Sequence, residues 1–482
     1  MNRLTNPKTW LAGGVAAALI GLVGCAGVAT TASSTSTTTA ATATVALTAD
    51  HDDDADHTWD TSKEVGIDLS SPKATDGVSV SDGVVTITAA GAYRLTGTLA
   101  DGQVVVNTTD SGNVYLILDN ASITNADGSA LVIDNAELAL VVLADGTRNS
   151  LTDGSSYAAT GDDDPNAALF SHTDLTILGG GTLNVTGNYD DGISSKDGLV
   201  IVSGTVDVTA KDDGIRGKDY LVIKGGTIQV TSGGDSLKSD NEKDAGLGYV
   251  SVASGTLKLS SGDDGIDAWT AIAISGGTTT VAKSVEGLEA KNISLSGGKV
   301  TVTSSDDGIN ATDSASTVGD MEAQAGTMLS ISGGEVTITA DGDGIDSNGD
   351  VTMSGGTVRV NGPTANNNAA LDYNGTFTIT GGTLVAGGSS GMAQAPDTSS
   401  AQKSLMIGVS AAAGSTIEVK DPSGTVVASY SPVRQISSLV VSTDQVKQGE
   451  TYTVYVNGTA SGTTDTSQVT NGGGFGGRGR HP

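Results

Sequence analysis

Acidic residues recur in this sequence at a fixed distance from one apolar residue. In successive repeats an Asp or Glu lies just before an Ile or Leu, mostly two or three positions ahead of it, as in Asp212-Asp213-Gly214-Ile215. The members of this acidic ladder are Asp190, Asp191, Asp212, Asp213, Asp235, Asp263, Asp264, Glu286, Asp306, Asp307, Asp341 and Asp343. Ca²⁺ takes six to eight oxygen ligands in loose geometry, and carboxylates supply them. The ladder therefore predicts calcium binding.

The alternative is that these acids only form turns. One Asp before Gly is common in turns, but four of the repeats carry a doubled acid. If the repeats stack as strands about 4.8 Å apart, neighbouring carboxylates repel by about 0.9 kcal/mol in bulk water and by about 3.5 kcal/mol at an effective dielectric of 20. Repeating that cost along a column favours a bound cation over turn chemistry alone.

Basic and aromatic residues follow the same apolar position. They are Lys196, Arg216, Lys218, Lys238 and Lys291, with Trp269 and Tyr373 at comparable places. Carboxylates of a polymeric uronate would meet calcium or Lys and Arg, and sugar faces would meet the rings. We therefore predict that these residues bind a glycan, with the alternative that the lysines only neutralise neighbouring aspartates.

The apolar residue of the ladder sets the period of the chain. It recurs at Ile193, Ile215, Leu237, Ile266, Leu288, Ile309, Ile345 and Leu371, with gaps of 22, 22, 29, 22, 21, 36 and 26 residues. Each repeat contains three short Val/Ile/Leu strands, one of which follows a Gly-Gly-Thr-like turn. A period near 22 suits stacked coils, whereas propeller blades need about forty residues. We predict an all-β, right-handed parallel β-helix with three strands per coil and a small C-terminal antiparallel β cap.

The chain divides by composition into five predicted segments. Residues 1–24 resemble a lipoprotein signal peptide, because Arg3 and Lys8 precede a short apolar stretch that ends in Leu22-Val23-Gly24-Cys25. Cys25 is the only cysteine, so we predict that it is lipidated and anchors the protein at the bacterial cell surface. Residues 25–58 are predicted as a flexible linker, 59–400 as the β-helix, 401–460 as the cap and 461–482 as a disordered Gly-rich tail.

The net negative charge of the chain limits the classes of molecule that it can bind. The formal net charge is −31, and it would be −33 after removal of residues 1–24, which carry two basic residues and no acid. Nucleic acid is excluded because its phosphates would be repelled, and we expect membrane contact only through the lipid anchor. We also expect a monomer.

Several segments resemble one known family. Pro165-Asn166-Ala167-Ala168-Leu169-Phe170-Ser171, Leu175 to Leu183, and Asp212-Asp213-Gly214-Ile215-Arg216-Gly217-Lys218-Asp219 are similar to the exported carbohydrate-binding β-helix family, over roughly residues 60 to 460. The resemblance implies a pectate-lyase-like β-helix that binds calcium and acidic plant polysaccharide such as polygalacturonate, or cellulose, without established catalysis.

Two other functions compete with glycan binding. Polysaccharide lyases and polygalacturonases use the same architecture, and Arg216 is a candidate lyase base. However, the Gly-His-Gly of polygalacturonases is missing, and Asp-Asp-Gly recurs in four coils, whereas an active site is a unique constellation. We therefore predict no catalytic residues. The third possibility is a surface adhesin or scaffold that calcium only rigidifies.

Overall fold

The structure is a computed structural model that describes residues 47–158, 161, 163–319 and 321–469 of the 482-residue chain. The predicted signal peptide, Cys25, the linker up to residue 46 and the tail from residue 470 lie outside the described residues. The described part is all-β, with three short 3-10 helices at Asp54–His57, Thr61–Lys63 and Thr466–Gln468. No helix in it is long and apolar enough to cross a bilayer.

We number the described strands β1 to β40. The first nine are β1 Val65–Asp68, β2 Val78–Ser81, β3 Val84–Ile87, β4 Gly91–Leu99, β5 Gln103–Asn107, β6 Val114–Thr124, β7 Leu131–Asn135, β8 Ala139–Leu143 and β9 Arg148–Thr152. The next twelve are β10 Ala167–Ser171, β11 Leu175–Gly179, β12 Thr182–Gly187, β13 Asp191–Ser195, β14 Gly198–Ile201, β15 Thr205–Ala210, β16 Ile215–Gly217, β17 Tyr220–Ile223, β18 Thr227–Thr231, β19 Leu237–Ser239, β20 Tyr249–Val252 and β21 Thr256–Ser260.

The remaining strands reach the last described coil and the C-terminal unit. They are β22 Ile266–Ile274, β23 Thr278–Lys283, β24 Leu288–Leu295, β25 Lys299–Ser304, β26 Ile309–Ala311, β27 Met328–Ile331, β28 Glu335–Ala340, β29 Ile345–Ser347, β30 Asp350–Met353, β31 Thr357–Asn361, β32 Leu371–Tyr373, β33 Phe377–Ile379 and β34 Thr383–Gly388. The last six are β35 Ser404–Ala411, β36 Ile417–Lys420, β37 Val426–Tyr430, β38 Ile436–Ser442, β39 Thr451–Val456 and β40 Thr459–Asp465.

Parallel pairing dominates the body. From β7 to β18 each strand pairs in parallel with the strand three positions later in the chain. This pairing produces long parallel sheets, which is the arrangement of a β-helix or a similar solenoid. We call the sheet that contains β10, β13, β16, β19 and β22 the ladder sheet, and the sheet that contains β8, β11, β14, β17 and β20 the strap sheet.

Aliphatic side chains fill the interior of the stack. Ile193, Ile215 and Leu237 occupy the same register on successive ladder strands, and each is fully buried. The glycine before each of the first two is required by close packing between coils. A Cβ on Gly214 would lie 2.2 Å from Val230 Cγ1 and 2.7 Å from the Ser236 carbonyl oxygen. The Gly of the Asp-Asp-Gly motif is therefore a packing requirement.

The segment predicted as linker is partly folded onto the body. Residues 47–58, which we call the strap, lie against the strap sheet. Tyr249 Oη donates to the Thr48 carbonyl oxygen at 2.7 Å, Lys224 Nζ lies 2.8 Å from Asp50 Oδ1, and a His51 ring nitrogen lies 2.9 Å from Tyr220 Oη. The prediction of a flexible linker up to residue 58 therefore fails for residues 47–58.

The outer face of the strap sheet explains this contact. Leu140, Val200 and Val222 stand at its outward positions and are buried, although one face of a β-helix sheet normally meets water. An apolar face has to be covered, and the strap lies over it. Further along the same sheet the outward positions carry Ser294 and Thr352, which need no cover.

The C-terminal unit is antiparallel. Strand β38 pairs with β34 and with β35, and a separate four-stranded sheet has the order β37-β36-β39-β40. Residues 461–469 complete β40 and form the last 3-10 helix. The predicted disordered tail is therefore ordered over this stretch.

Candidate metal centre

The second acid of each repeat forms an inner column along the start of the ladder sheet. Its members are Asp191, Asp213, Asp235, Asp264, Glu286, Asp307 and Asp343. The Asp235 N–H donates to Asp213 Oδ1 at 2.9 Å, and the Asp264 N–H donates to Asp235 Oδ1 at 2.8 Å. These carboxylates satisfy backbone donors of the next coil, which is a structural role for the ladder.

The first acid of each repeat forms a less regular outer column. It contains Asp190, Asp212, Asp263 and Asp306, and it is interrupted where Gly234, Val285 and Gly342 take the equivalent place. Asp341 belongs to neither column, because it precedes Gly342 and accepts a hydrogen bond from Arg434 Nη1 at 2.6 Å. The structure thus separates Asp341 from the ladder to which the sequence analysis assigned it.

A third column of charged and polar side chains points outward beside the inner column. Its residues directly follow the stacked apolar residue, and they are Arg216, Lys238, Asp267, Glu289, Asn310, Asp346 and Asp372. Its two cations, Arg216 and Lys238, are among the predicted glycan-binding residues, whereas its acids were not predicted. The same offset would have identified them, because alternate residues of a strand point to opposite faces.

Lys238 neutralises the middle of the ladder. Its ammonium lies 2.6 Å from Asp235 Oδ2, 3.3 Å from Asp213 Oδ2 and 3.7 Å from Asp267 Oδ2. Burial opposes its charge, but these carboxylates outweigh burial and raise the pKa of Lys238. In this coil the cation that the ladder requires is part of the chain.

We predict that Lys238→Met destabilises the protein by about 2–3 kcal/mol in calcium-free buffer, because three carboxylates lose their counter-charge in a half-buried site. Urea unfolding at neutral pH measures this loss. The control is Lys299→Met, whose ammonium lies 3.4 Å from Glu335 Oε1 in an exposed pair and which we expect to change stability little. Equal losses in the two variants would contradict a special role for Lys238.

The first carboxylate cluster lies N-terminal to Lys238 along the ladder. One oxygen each from Asp190, Asp191 and Asp212 lies within 4.8 Å of the others. Burial, and next the charge of Asp213, raises the pKa of Asp191 to about 8. Asn166, from the preceding coil, donates from Nδ2 to Asp190 Oδ2 at 3.0 Å and to Asp191 Oδ2 at 2.9 Å.

The second cluster lies on the other side of Lys238. One oxygen each from Asp264, Glu286 and Glu289 lies within 4.8 Å of the others. Burial is the main cause that raises the pKa of Asp264 to about 8 and that of Glu286 to about 9, and the neighbouring Glu289 adds to the shift of Glu286. Asn310 Nδ2 donates to Glu286 Oε2 at 2.8 Å and to Glu289 Oε2 at 3.2 Å.

The hydrogen bonding of the two asparagines indicates whether a cation fits these clusters. Among the described residues Asn166 Oδ1 and Asn310 Oδ1 have no hydrogen-bond partner, although both atoms are buried. Rotating the amide by 180° would exchange N and O, which have nearly the same shape. After this rotation the amide oxygen would face the carboxylates, in the place that Nδ2 now occupies. A cation held by the carboxylates could then bind the amide oxygen. The donor set of each cluster is therefore carboxylate and amide oxygen, which fits a hard divalent cation.

The predicted glycan-binding residues lie in different environments. Arg216 Nη2 lies 2.7 Å from Asp240 Oδ2, and Lys291 Nζ lies 2.7 Å from Asp313 Oδ2, so acids from the two long coils engage both cations. Trp269 is half-buried at a bulge of β22, opposite Lys291.

Three of these residues remain to be placed. Lys196 and Lys218 follow the ladder strands β13 and β16 and are half-buried. Tyr373 lies in the core, and its Oη donates to the Ala395 carbonyl oxygen at 2.7 Å. Its prediction as a sugar-stacking ring is therefore wrong.

The fold and this site define a parallel β solenoid with an acidic, cation-compatible face. The model of the family of carbohydrate-binding domain-containing proteins matches residues 81–328, just over half of the chain, and the chain belongs to this family. Family membership supports binding of carbohydrate.

Two related proteins were found. A carbohydrate-binding domain-containing protein of Acetivibrio thermocellus is 39% identical over 137 residues, which is 28% of this chain and 48% of the relative. The match therefore spans about half of the relative's length. The solved structure of a polysaccharide lyase-like protein from C. thermocellum, a gadolinium derivative, shares 33% identity over 49% of this chain and 92% of that chain, with a TM-score of 0.43.

Proposed function

We propose that this protein is a non-catalytic, lipid-anchored binder of acidic polysaccharide, such as polygalacturonate, at the bacterial cell surface. Calcium would be held by the Asp190/Asp191/Asp212 and Asp264/Glu286/Glu289 clusters, and it would supply the positive charge that joins the ladder to uronate carboxylates. The observation that carries the proposal is the pair of clusters, each with a buried asparagine oxygen that has no hydrogen-bond partner among the described residues.

The state of the cations in the chain favours a bridging metal over direct recognition by Lys and Arg. Arg216, Lys238 and Lys291 each lie beside a carboxylate of the chain. A uronate would have to compete with those partners, whereas the clusters are built of carboxylates, and burial and neighbouring acids raise the pKa values of Asp191, Asp264 and Glu286. An anionic polymer can approach such a face only when divalent cations reverse its charge.

The test is polygalacturonate binding, measured by calorimetry in calcium and again after chelation. We expect binding in calcium, loss of at least about tenfold in affinity with chelator, and recovery when calcium is returned. Equal affinity for polygalacturonate in calcium and in chelator would contradict the bridging role of calcium. Binding to no glycan under either condition would favour the scaffold function.

The environment of Lys196 makes polysaccharide lyase activity the second candidate function. Burial, and next the charges of Arg216 and Lys218, lowers the pKa of Lys196, which is the direction that a general base needs. Arg216 is a poor base. Burial opposes its charge, but its hydrogen bond to Asp240 and the charges of the surrounding acids together raise its pKa. Incubation with polygalacturonate and calcium should give no absorbance from unsaturated uronate. Release of that product, and its loss in Lys196→Ala, would replace the non-catalytic proposal.

We further propose that the solenoid is a right-handed β-helix with three strands per coil, and that the antiparallel unit from β35 to β40 caps its last coil. The pairing of β38 with β34 supports a cap, because it covers a sheet edge that would otherwise be open.

A further inference from the structure

We propose that a cleft at the N-terminal end of the solenoid is a second glycan site, which binds neutral saccharides without a cation. The cleft has a volume of about 550 Å³ and lies between the segment that follows the strap, the turn after β3 and strands β4 and β6. Small-molecule sites commonly enclose about 300–1,000 Å³. It does not include any residue of the acidic ladder.

Two half-buried aromatic rings line the cleft. The rings of Trp59 and Tyr115 lie 5.3 Å apart at an interplanar angle of 32°. Tyr93 also lines the cleft, but it is buried, and its Oη donates to the Ala89 carbonyl oxygen at 2.9 Å. The indole is held in place, because Trp59 Nε1 donates to Glu64 Oε1 at 2.9 Å and Glu64 in turn accepts from Arg94 Nε at 2.7 Å. Fixed rings offer an apolar face to the C–H groups of a pyranose at little cost in side-chain entropy.

The charges at the rim favour an uncharged ligand. Asp60, Lys63 and Asp76 also line the cleft, and Lys63 Nζ lies 3.2 Å from Asp60 Oδ2. Two carboxylates against one ammonium would repel a uronate. The same groups can accept hydrogen bonds from sugar hydroxyls or donate to them. The chemistry therefore fits a neutral saccharide with hydroxyls around an apolar ring face.

Small residues keep the floor of the cleft open. Gly77, Ala89, Gly91 and Ala92 line it. Gly77 has a φ of +72°, and a Cβ there would lie 2.7 Å from Tyr93 Oη, so backbone conformation and space both require glycine. A larger side chain in this place would fill the volume that we assign to the sugar.

Tryptophan emission tests this site directly. The chain has three tryptophans, Trp10, Trp59 and Trp269, so the full-length variant Trp10→Phe/Trp269→Phe leaves Trp59 as the reporter. We expect cellotetraose or xylotetraose to change its emission in a saturable way, with the same apparent affinity in calcium and in chelator. Tetragalacturonate should bind at least about tenfold more weakly to this site, because the rim is acidic.

Variants separate a binding role from a folding role. In calorimetry Tyr115→Ala should weaken neutral tetrasaccharide binding by about tenfold or more, whereas Tyr115→Phe should retain it, since the ring provides the contact. Tyr455→Ala, which removes a half-buried ring from β39 of the C-terminal unit, is the matched control and should bind normally, and thermal unfolding should be similar for the three variants. An absence of saturable change with both tetrasaccharides, or unchanged affinity in Tyr115→Ala and in Trp59→Ala, would overturn the proposal. Polygalacturonate binding at the ladder can fail or succeed without affecting this result.

Discussion

Above about pH 9, where both carboxyl groups are ionised, replacing Asp264 and Glu286 by their amides should raise the melting temperature in chelator. The same change should remove the calcium stabilisation that this cluster contributes. At a separation of about 4.8 Å two carboxylates repel by about 3.5 kcal/mol at an effective dielectric of 20. The raised pKa values of both groups reflect their burial and this repulsion. In Asp264→Asn/Glu286→Gln the repulsion disappears, while the amide oxygen at position 264 can still accept from the backbone N–H of residue 286, as Asp264 Oδ1 does at 2.9 Å.

The magnitudes are large enough for scanning calorimetry. Calcium at about 100 times its dissociation constant would stabilise the wild type by about 2.7 kcal/mol per site. With an unfolding entropy of about 2.1 cal/mol/K per residue over the roughly 420 described residues, each site corresponds to roughly 3 °C. The double amide variant should keep at most the part contributed by the Asp190/Asp191/Asp212 cluster, and its affinity for polygalacturonate in calcium should fall.

A control with the same change in charge isolates the cluster from general electrostatics. Asp207→Asn/Glu335→Gln removes two negative charges from outward positions of β15 and β28, away from the ladder sheet. Its calcium response should match that of the wild type. A full calcium response in Asp264→Asn/Glu286→Gln would exclude this cluster as a site. A lower melting temperature in chelator would mean that its acids serve chiefly as partners of backbone N–H groups.

Much of the solenoid could be predicted from the sequence, because both the apolar residues and the glycines recur with the period of the coils. The parallel all-β stack and the alignment of Ile193, Ile215 and Leu237 follow from repeats of nearly constant length. The alternation of faces along a strand also places Tyr373, contrary to its prediction as a sugar-stacking ring. It lies two residues after the stacked Leu371, and residues two apart on a strand share a face, so the rule places its ring in the core.

Other features depend on contacts between distant parts of the chain. Asn166 lies three residues before Leu169, where an outer acid would stand, but it is an amide, and its contact with Asp191 depends on the pairing of two neighbouring coils. The strap has no periodic pattern of its own. Only its receiving surface is visible in the sequence, as runs such as Leu138 to Leu143 that are apolar at outward as well as inward positions.

The stability of the calcium-free protein should fall as pH rises from about 5 to 9, which is the reverse of ordinary acid denaturation. Acid denaturation arises when native carboxylates have lowered pKa values. Here burial and neighbouring carboxylates raise the pKa of Asp191 from 3.8 to about 8 and that of Glu286 from 4.5 to about 9. Between these values the native state binds more protons than the unfolded state, so the free energy of unfolding decreases with pH.

Calcium should flatten this dependence, because the cation replaces the protons that the clusters hold. The stabilisation from protonation is fully present below about pH 4 and is lost as pH rises through the native pKa values of about 8 and 9. The gain in melting temperature on adding calcium should therefore grow from pH 5 to pH 9. Calcium binding near pH 7 should also release protons, which calorimetry in two buffers of different ionisation enthalpy would measure.

A calcium-free melting temperature that rises across this range, or a calcium gain that is the same at pH 5 and pH 9, would contradict the assignment of these carboxylates to the cation. The mixed amide Asp264→Asn/Glu286→Gln supplies the internal check, since it should lose the part of the pH slope that comes from those two groups and keep the part that comes from Asp191.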